Sequence, residues 1–291
     1  MQLKAKDFEA VIKEKLSPRL REKIDSLKLN YQLMSKKEKQ MWRKIIKKEL
    51  EGEKIVPAGR TRLSDWEKGW QENLNEGSII PHYFGKYPVI RFDQNLIKPL
   101  RKNFEYLSLA IITNWLFEKY FKKTETVYEF GCGTGHNLLR LREVNRQAEL
   151  WGLDWAANSQ KILKRMGLKS INFDLFKPNK QFVLRKNAGV FTVAALEQLG
   201  RRFKPIVQYW LDNQIKLCMN IEPINELLDK SNFWDKLSIK YAKKRNYLDG
   251  YLTYLRQLEK QEKIVIHQAQ RSYIGSLFLD GYSVIVWSAR I

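Results

Sequence analysis

Three glycines at alternate positions, Gly131, Gly133 and Gly135, follow the acidic residue Glu129 and precede an apolar, helix-like stretch with Leu138, Leu139 and Leu141. The run TVYEF at 126–130 before them reads as a strand. Glycines between a strand and a helix let the backbone turn sharply and let a ligand come close. The amides at the helix start point toward that ligand. A dinucleotide loop uses a related pattern, but its pyrophosphate calls for G-x-G-x-x-G rather than the G-x-G-x-G found here. Glu129 argues the same way. A carboxylate repels a pyrophosphate and attracts a cationic aminoacyl or sulfonium group.

The segment EFGCGTG resembles the first motif of the class I S-adenosylmethionine-dependent methyltransferases, written acid-x-G-x-G-x-G, and the resemblance covers roughly residues 125–290. It implies S-adenosylmethionine as cofactor, its methionine half held by Glu129, Gly131, Gly133 and Gly135. Asp154 ends the run Trp151-Gly152-Leu153-Asp154 and falls where the family's second acid grips the ribose hydroxyls. A carboxylate accepts two such hydrogen bonds. The other reading of Asp154 is a helix-start cap before Ala156. Asp174 falls where the family often meets the adenine amino group, with Phe173 or Leu175 beside the purine; its other reading is a turn residue. Leu196-Glu197-Gln198-Leu199 is similar to the family's Leu-Glu-His-Leu pattern, with Gln198 in place of histidine, so no histidine base carries over. An Asn/Asp-Pro-Pro-aromatic motif is absent from the sequence, which disfavours an enzyme that methylates DNA amino groups.

On the acceptor side, Glu222 ends the run Asn220-Ile221-Glu222. Ligands of open α/β sheets sit beyond the carboxyl ends of strands, and a carboxylate there takes a proton from a hydroxyl or orients an amine. Its plainer reading is a helix-start acid before Pro223. Glu197 and Glu222 are the candidate catalytic residues. The tyrosine-rich stretch 241–254, Arg271 and Tyr273 either cover the acceptor or belong to ordinary amphipathic structure. Arg91, in a lid-like segment with His82, Tyr83 and Phe84, either pairs with the cofactor carboxylate through its planar fork or is a surface or stacking arginine.

These residues need a scaffold. Short apolar runs at 126–130, 149–153, 170–173, 189–194, 215–221, 263–267 and 282–287 alternate with helical stretches. This predicts an α/β fold: a seven-stranded, mostly parallel Rossmann-like sheet with helices on both faces. The last two strands are close in sequence, so they are expected to pair antiparallel. A long helix is expected over 100–122. Residues 1–99 are expected to form an N-terminal helical extension and lid, and 100–291 the methyltransferase domain. In the extension, Ser17-Pro18 and Ser35-Lys36-Lys37-Glu38 are helix starts, Ser64-Asp65-Trp66-Glu67 is a further capping box, and IIPHYFGKYPVIRFDQN is an ordered loop.

The 291 residues carry a formal net charge of +21, of which residues 1–60 hold 17 Lys+Arg against 9 Asp+Glu. That surplus suits polyanions, so nucleic acid is a possible partner beside a small-molecule or glycan acceptor. A non-catalytic cofactor-binding partner subunit is a third reading, and it would be expected to lose motif residues that are present here. Two cysteines and three scattered histidines give a disulfide framework or a zinc site little material, so no metal is expected and a cytoplasmic setting is. No apolar run is long enough to span a bilayer. Acceptor identity and oligomeric state are not legible.

Overall fold

A computed structural model describes residues 1–52 and 55–290. The chain begins with helices α1 (Ala5–Ile12) and α2 (Pro18–Leu27), strand β1 (Tyr31–Leu33), helices α3 (Lys36–Glu51) and α4 (Leu63–Glu76), and strands β2 (Ile90–Phe92) and β3 (Asn95–Pro99). It continues through α5 (Phe104–Tyr120), β4 (Thr126–Phe130), α6 (His136–Val144), β5 (Glu149–Asp154), α7 (Ala157–Arg165), β6 (Lys169–Asn172) and β7 (Gly189–Val193). Then come α8 (Lys204–Asp212), β8 (Leu217–Glu222), α9 (Phe233–Lys244), α10 (Tyr251–Lys260), β9 (Ile264–Gln270), β10 (Ile274–Gly275) and β11 (Ser283–Ala289).

All seven expected strands form one Rossmann-like sheet, in the order β6-β5-β4-β7-β8-β11-β9. The five from β6 to β8 are parallel; β11 runs antiparallel to both β8 and β9. From β4 the chain works outward through β5 to β6, then returns to place β7 on the other side of β4. The order reverses between β4 and β7, and the crevice at their carboxyl ends is where such sheets take ligands. Every residue of β4 and β7 is buried, as expected of central strands covered on both faces.

One face packs on α5, whose apolar residues surround the whole helix because nearly all of it is buried. Phe117, Phe121 and Phe191 meet there, in a core shared with Leu3 and with Phe8 and Leu20 of the N-terminal helices. The other face is filled by Trp210, Tyr251 and Trp287.

Local signals hold at two of three helix starts. The Ser17 hydroxyl accepts from the Leu20 amide ahead of Pro18, and Ser35 and Glu38 close a reciprocal capping box. The third differs. A 3₁₀ turn at Arg60–Arg62 leads directly into α4, so Ser64 lies inside the helix and Arg62 caps it without a side-chain bond. The segment read as a loop also differs. Its end is the hairpin β2–β3, which turns at Asp93-Gln94 with φ of 46° and 59°. Two left-handed residues suit a hairpin turn, but Asp-Gln lacks the glycine that normally announces one.

The hairpin belongs to a small sheet in the order β1-β3-β2-β10. Because β10 comes from the far end of the chain, the N-terminal region and the main sheet are joined by strand pairing as well as by a common core. Among the described residues, no helix is long and apolar enough to cross a membrane.

The segment between β9 and β11 is held by a buried ion cluster. Arg271 forks onto Asp235 (2.7 and 3.0 Å) and reaches Asp280 (2.6 Å). Arg271→Ala would leave two carboxylates buried without their cation, so a loss of about 3–5 kcal/mol is expected in urea unfolding; a loss under about 1 kcal/mol would contradict this account.

Candidate functional site

Beyond β4 the chain turns through Gly131, Gly133 and Gly135, with φ of 73°, 52° and 72°. At Gly131 a Cβ would lie 2.4 Å from the Cβ of Ala195, so the loops after β4 and β7 touch where only hydrogen fits. The Gly131 and Cys132 amides both donate to the Leu153 carbonyl, which ties the bend to β5.

Glu129, Gly131, Gly133 and Asp154 line one cavity together with Trp155, Phe173 and Leu175. Gly135 does not; it faces Leu163 and Met166 and starts α6. One oxygen of Glu129 accepts from Asn137 Nδ2 (2.8 Å), while the other is buried without a partner. Burial raises this carboxyl to about pKa 8, because no neighbouring cation fully repays the lost hydration. Asp154 accepts from the Gly133 and Ala156 amides (both 2.9 Å) and is raised to about 6, again chiefly by burial. It therefore caps the turn into α7 and lines the cavity at once, each oxygen retaining a lone pair.

Three polar residues in this wall carried no signal of their own in the sequence. Asn137 links Glu129 to Arg140, whose guanidinium lies 4.2 Å from the centre of the Tyr106 ring. The Thr134 hydroxyl donates to the Ile79 carbonyl (2.7 Å), so the contact with His136 Nδ1 (3.0 Å) makes that nitrogen the N–H donor. Nε2 of His136 is then an acceptor, buried and unpartnered beside the cavity. Burial also depresses its pKa well below the usual histidine value, which keeps the ring neutral.

A second cavity, of about 400 Å³, adjoins the first; Trp66, Trp70, Tyr83 and Ala194 line both. Glu197 stands in its wall, hydrogen-bonded by Gln198 Nε2 (3.0 Å). Burial, reinforced by repulsion from Glu222, raises Glu197 to about 8. The open space in the first cavity is about 70 Å³, and the indole of Trp70 lies where a Cβ of Gly133 would point.

Three expected site residues are placed elsewhere. Glu222 faces neither cavity. Its carboxylate accepts the amides of Ala195 (3.0 Å), Leu196 (3.0 Å) and Glu197 (3.2 Å), so it shapes the turn that carries Glu197. Arg91 is buried on β2, with its guanidinium spent on Ser238 Oγ (2.6 Å) and the carbonyls of Trp234, Leu277 and Phe278. It braces α9 against the small sheet rather than meeting a cofactor carboxylate. Asp174 takes its turn reading: it accepts from the Phe176 amide (2.8 Å) and pairs with Arg60. Of the acceptor-side stretches, Tyr241 and Tyr247 line the second cavity, while Tyr251 bonds Asn220 in the core (2.6 Å) and Arg271 is locked in its ion cluster.

No protein-family model matches the chain, and no curated protein matches its sequence. Several solved structures are similar in arrangement. An O-methyltransferase family protein from Burkholderia thailandensis is 10% identical with a TM-score of 0.47, over 64% of this chain and 57% of that one. An O-methyltransferase from neocarzinostatin biosynthesis, solved with S-adenosylmethionine, is 15% identical with a TM-score of 0.44, over the same shares. An N-methyltransferase from Bradyrhizobium japonicum, solved with S-adenosyl-L-homocysteine, is 9% identical with a TM-score of 0.44, over 64% and 86%. The chain thus spans under two thirds of the length of the first two.

Glu129 gives a pH test. Its folded pKa (about 8) lies above the ordinary 4.5, so its contribution to stability is complete below about pH 4.5 and is lost as pH rises through about 8. Glu129→Gln titrates at neither value. The variant should therefore gain stability relative to the parent between these pH values, read from paired thermal melts; a constant difference in Tm would contradict the burial argument.

Proposed function

We propose that the chain is a class I S-adenosylmethionine-dependent methyltransferase acting on a small-molecule or glycan acceptor. The observation that carries this reading is the unpartnered buried oxygen of Glu129, beside the Gly131 bend and in one cavity with Asp154. A buried carboxylate that lacks a cation is completed by an ammonium group, as the methionine end of the cofactor provides. Asp154 has lone pairs for ribose hydroxyls, and Trp155, Phe173 and Leu175 offer flat apolar surface to a purine. Gly133 leaves room for close approach once the Trp70 indole moves aside, so binding displaces that ring.

When bound, the cofactor supplies an electrophilic methyl group on a positively charged sulfur. The residues of the chain then have three tasks. Glu129 and Asp154 fix the two polar ends. Tyr83 and Ala194, common to both cavities, mark where acceptor and methyl donor meet. Glu197 takes a proton from the acceptor, with its carboxylate held by the turn that Glu222 caps. Aligning the partners and excluding water supply most of the rate; a positioned base adds about 10²–10⁴-fold.

The aromatic residues Tyr87, Tyr241, Tyr247 and Tyr282 around a space of about 400 Å³ favour a compact acceptor over a nucleic-acid strand, whose backbone would need a longer groove. Retention of Glu129, the three glycines and Asp154 speaks against a non-catalytic partner subunit.

Titration calorimetry with S-adenosylhomocysteine tests the cofactor half. Glu129→Ala and Asp154→Ala should each weaken binding at least about 10-fold, whereas Arg91→Ala should leave affinity unchanged in whatever protein remains folded. No heat of binding to the parent protein would refute the proposal. Once an acceptor is found by transfer of a labelled methyl group, the rate should rise with pH through about 8, as Glu197 ionises. Glu197→Gln should flatten that profile and lower kcat about 100-fold or more; an unaltered profile would remove Glu197 from the chemistry.

A further inference from the structure

The second cavity holds another acid that the proposed reaction leaves unused. Glu105, in the first turn of α5, is buried and lines the same wall as Tyr282, whose hydroxyl donates to it at 2.8 Å. Among the described residues, no basic side chain pairs with Glu105. The bases in the same wall point to other groups: His82 lies 3.2 Å from Glu76. Arg62 faces Asp65 at 2.9 Å, Arg245 donates to the Val56 carbonyl and to Tyr247 Oη, and exposed Lys86 lies 5.7 Å from the centre of the Tyr87 ring. Burial with a lone phenol for company lifts Glu105 to about 7.

A buried carboxyl whose one bonded neighbour is a phenol is costly to ionise unless a cation docks on it. Aromatic faces attract cations too, through the negative potential above the ring. Tyr83, Tyr87 and Tyr282 supply such rings around the same space. A docked ammonium would favour the ionised form of Glu105 and bond it directly, which a neutral group or a second carboxylate at that position cannot do.

We propose that this cavity takes an amine-bearing acceptor, with the protonated nitrogen docked on the Glu105 carboxylate among the rings of Tyr83, Tyr87 and Tyr282. The inference rests on reading this cavity as the acceptor site of the proposed methyltransferase. It assigns the class of acceptor, and Glu105 as the residue that selects it.

Three phenols of similar shape and different charge provide the test: tyramine, 4-ethylphenol and 3-(4-hydroxyphenyl)propionate, each titrated calorimetrically into the full chain with S-adenosylhomocysteine present. Tyramine should bind at least tenfold more tightly than the other two. Glu105→Gln, which removes the charge and keeps the shape, should abolish that preference without changing S-adenosylhomocysteine affinity. Equal binding of the three, preference for the acid, or binding of none while S-adenosylhomocysteine binds normally would each overturn the amine assignment and leave the methyltransferase reading standing. If S-adenosylhomocysteine does not bind but tyramine does, and does so through Glu105, the amine site stands and the methyltransferase reading falls. The ligand series in the parent protein decides the matter even if the variant proves unstable.

Discussion

Two loops approach at Gly131 until only a hydrogen atom fits between them, and the geometry of both cavities follows from that contact. The loop after β4 bends over the carboxyl end of the sheet, and the loop after β7 is pressed against it through Ala195. The second loop keeps its shape because Glu222, from the end of β8, accepts three of its consecutive amides. Ala194, just before, holds a left-handed φ of 50°. Such strain costs on the order of 1–3 kcal/mol and persists only where surrounding bonds enforce it. The result is a narrow crevice at the reversal in strand order, with Glu129 on one side and Glu197 on the other.

Buried carboxyls dominate the electrostatics of this crevice. Glu129, Asp154, Glu197 and Glu105 all have raised pKa values, and in each case the largest cause is lost hydration. Acids that merely held the fold together would be expected to meet arginine or lysine, as Asp235 and Asp280 meet Arg271. The two groups of acids differ in their partners: Asp235 and Asp280 pair directly with an arginine, and among the described residues Glu129, Asp154, Glu197 and Glu105 form no ion pair. Glu222 lies between them: it is buried and raised to about 7, yet fully used by backbone amides.

The N-terminal region contributes walls as well as bulk. Helix α4 carries the stacked pair Trp66 and Trp70 over the glycine loop, and Glu67 binds the first amides of α7. The hairpin β2–β3 and strand β10 brace this region from behind, with Arg91 as the tie to α9. The second cavity is lined by aromatic rings and by both signs of charge, with Asp65, Glu105 and Glu197 beside Arg62, Lys86 and Arg245.

The sheet and its cofactor loop were legible because they rest on local rules. Seven apolar runs of strand length, a glycine series after an acid, and a short connection between the last strands each constrain the backbone within a few residues. Glu129, Gly131, Gly133 and Asp154 line one cavity at the end of that sheet. The contacts of Glu222, Arg91 and Asp174 were not legible because they depend on what faces each side chain: three amides from another loop, four acceptors from α9 and the segment before β11, and an arginine from residue 60. The hairpin was missed because its strands are three and five residues long and gain stability only from β1 and β10, distant in the chain. Glu105 gave no signal at all, since one acid in an apolar helix looks the same whether it meets solvent, a base or a cavity. Sequence periodicity determined which segments become strands and helices; desolvation and pairing, which exist only once those segments are packed, decided which acids are matched by a base and which are buried without one.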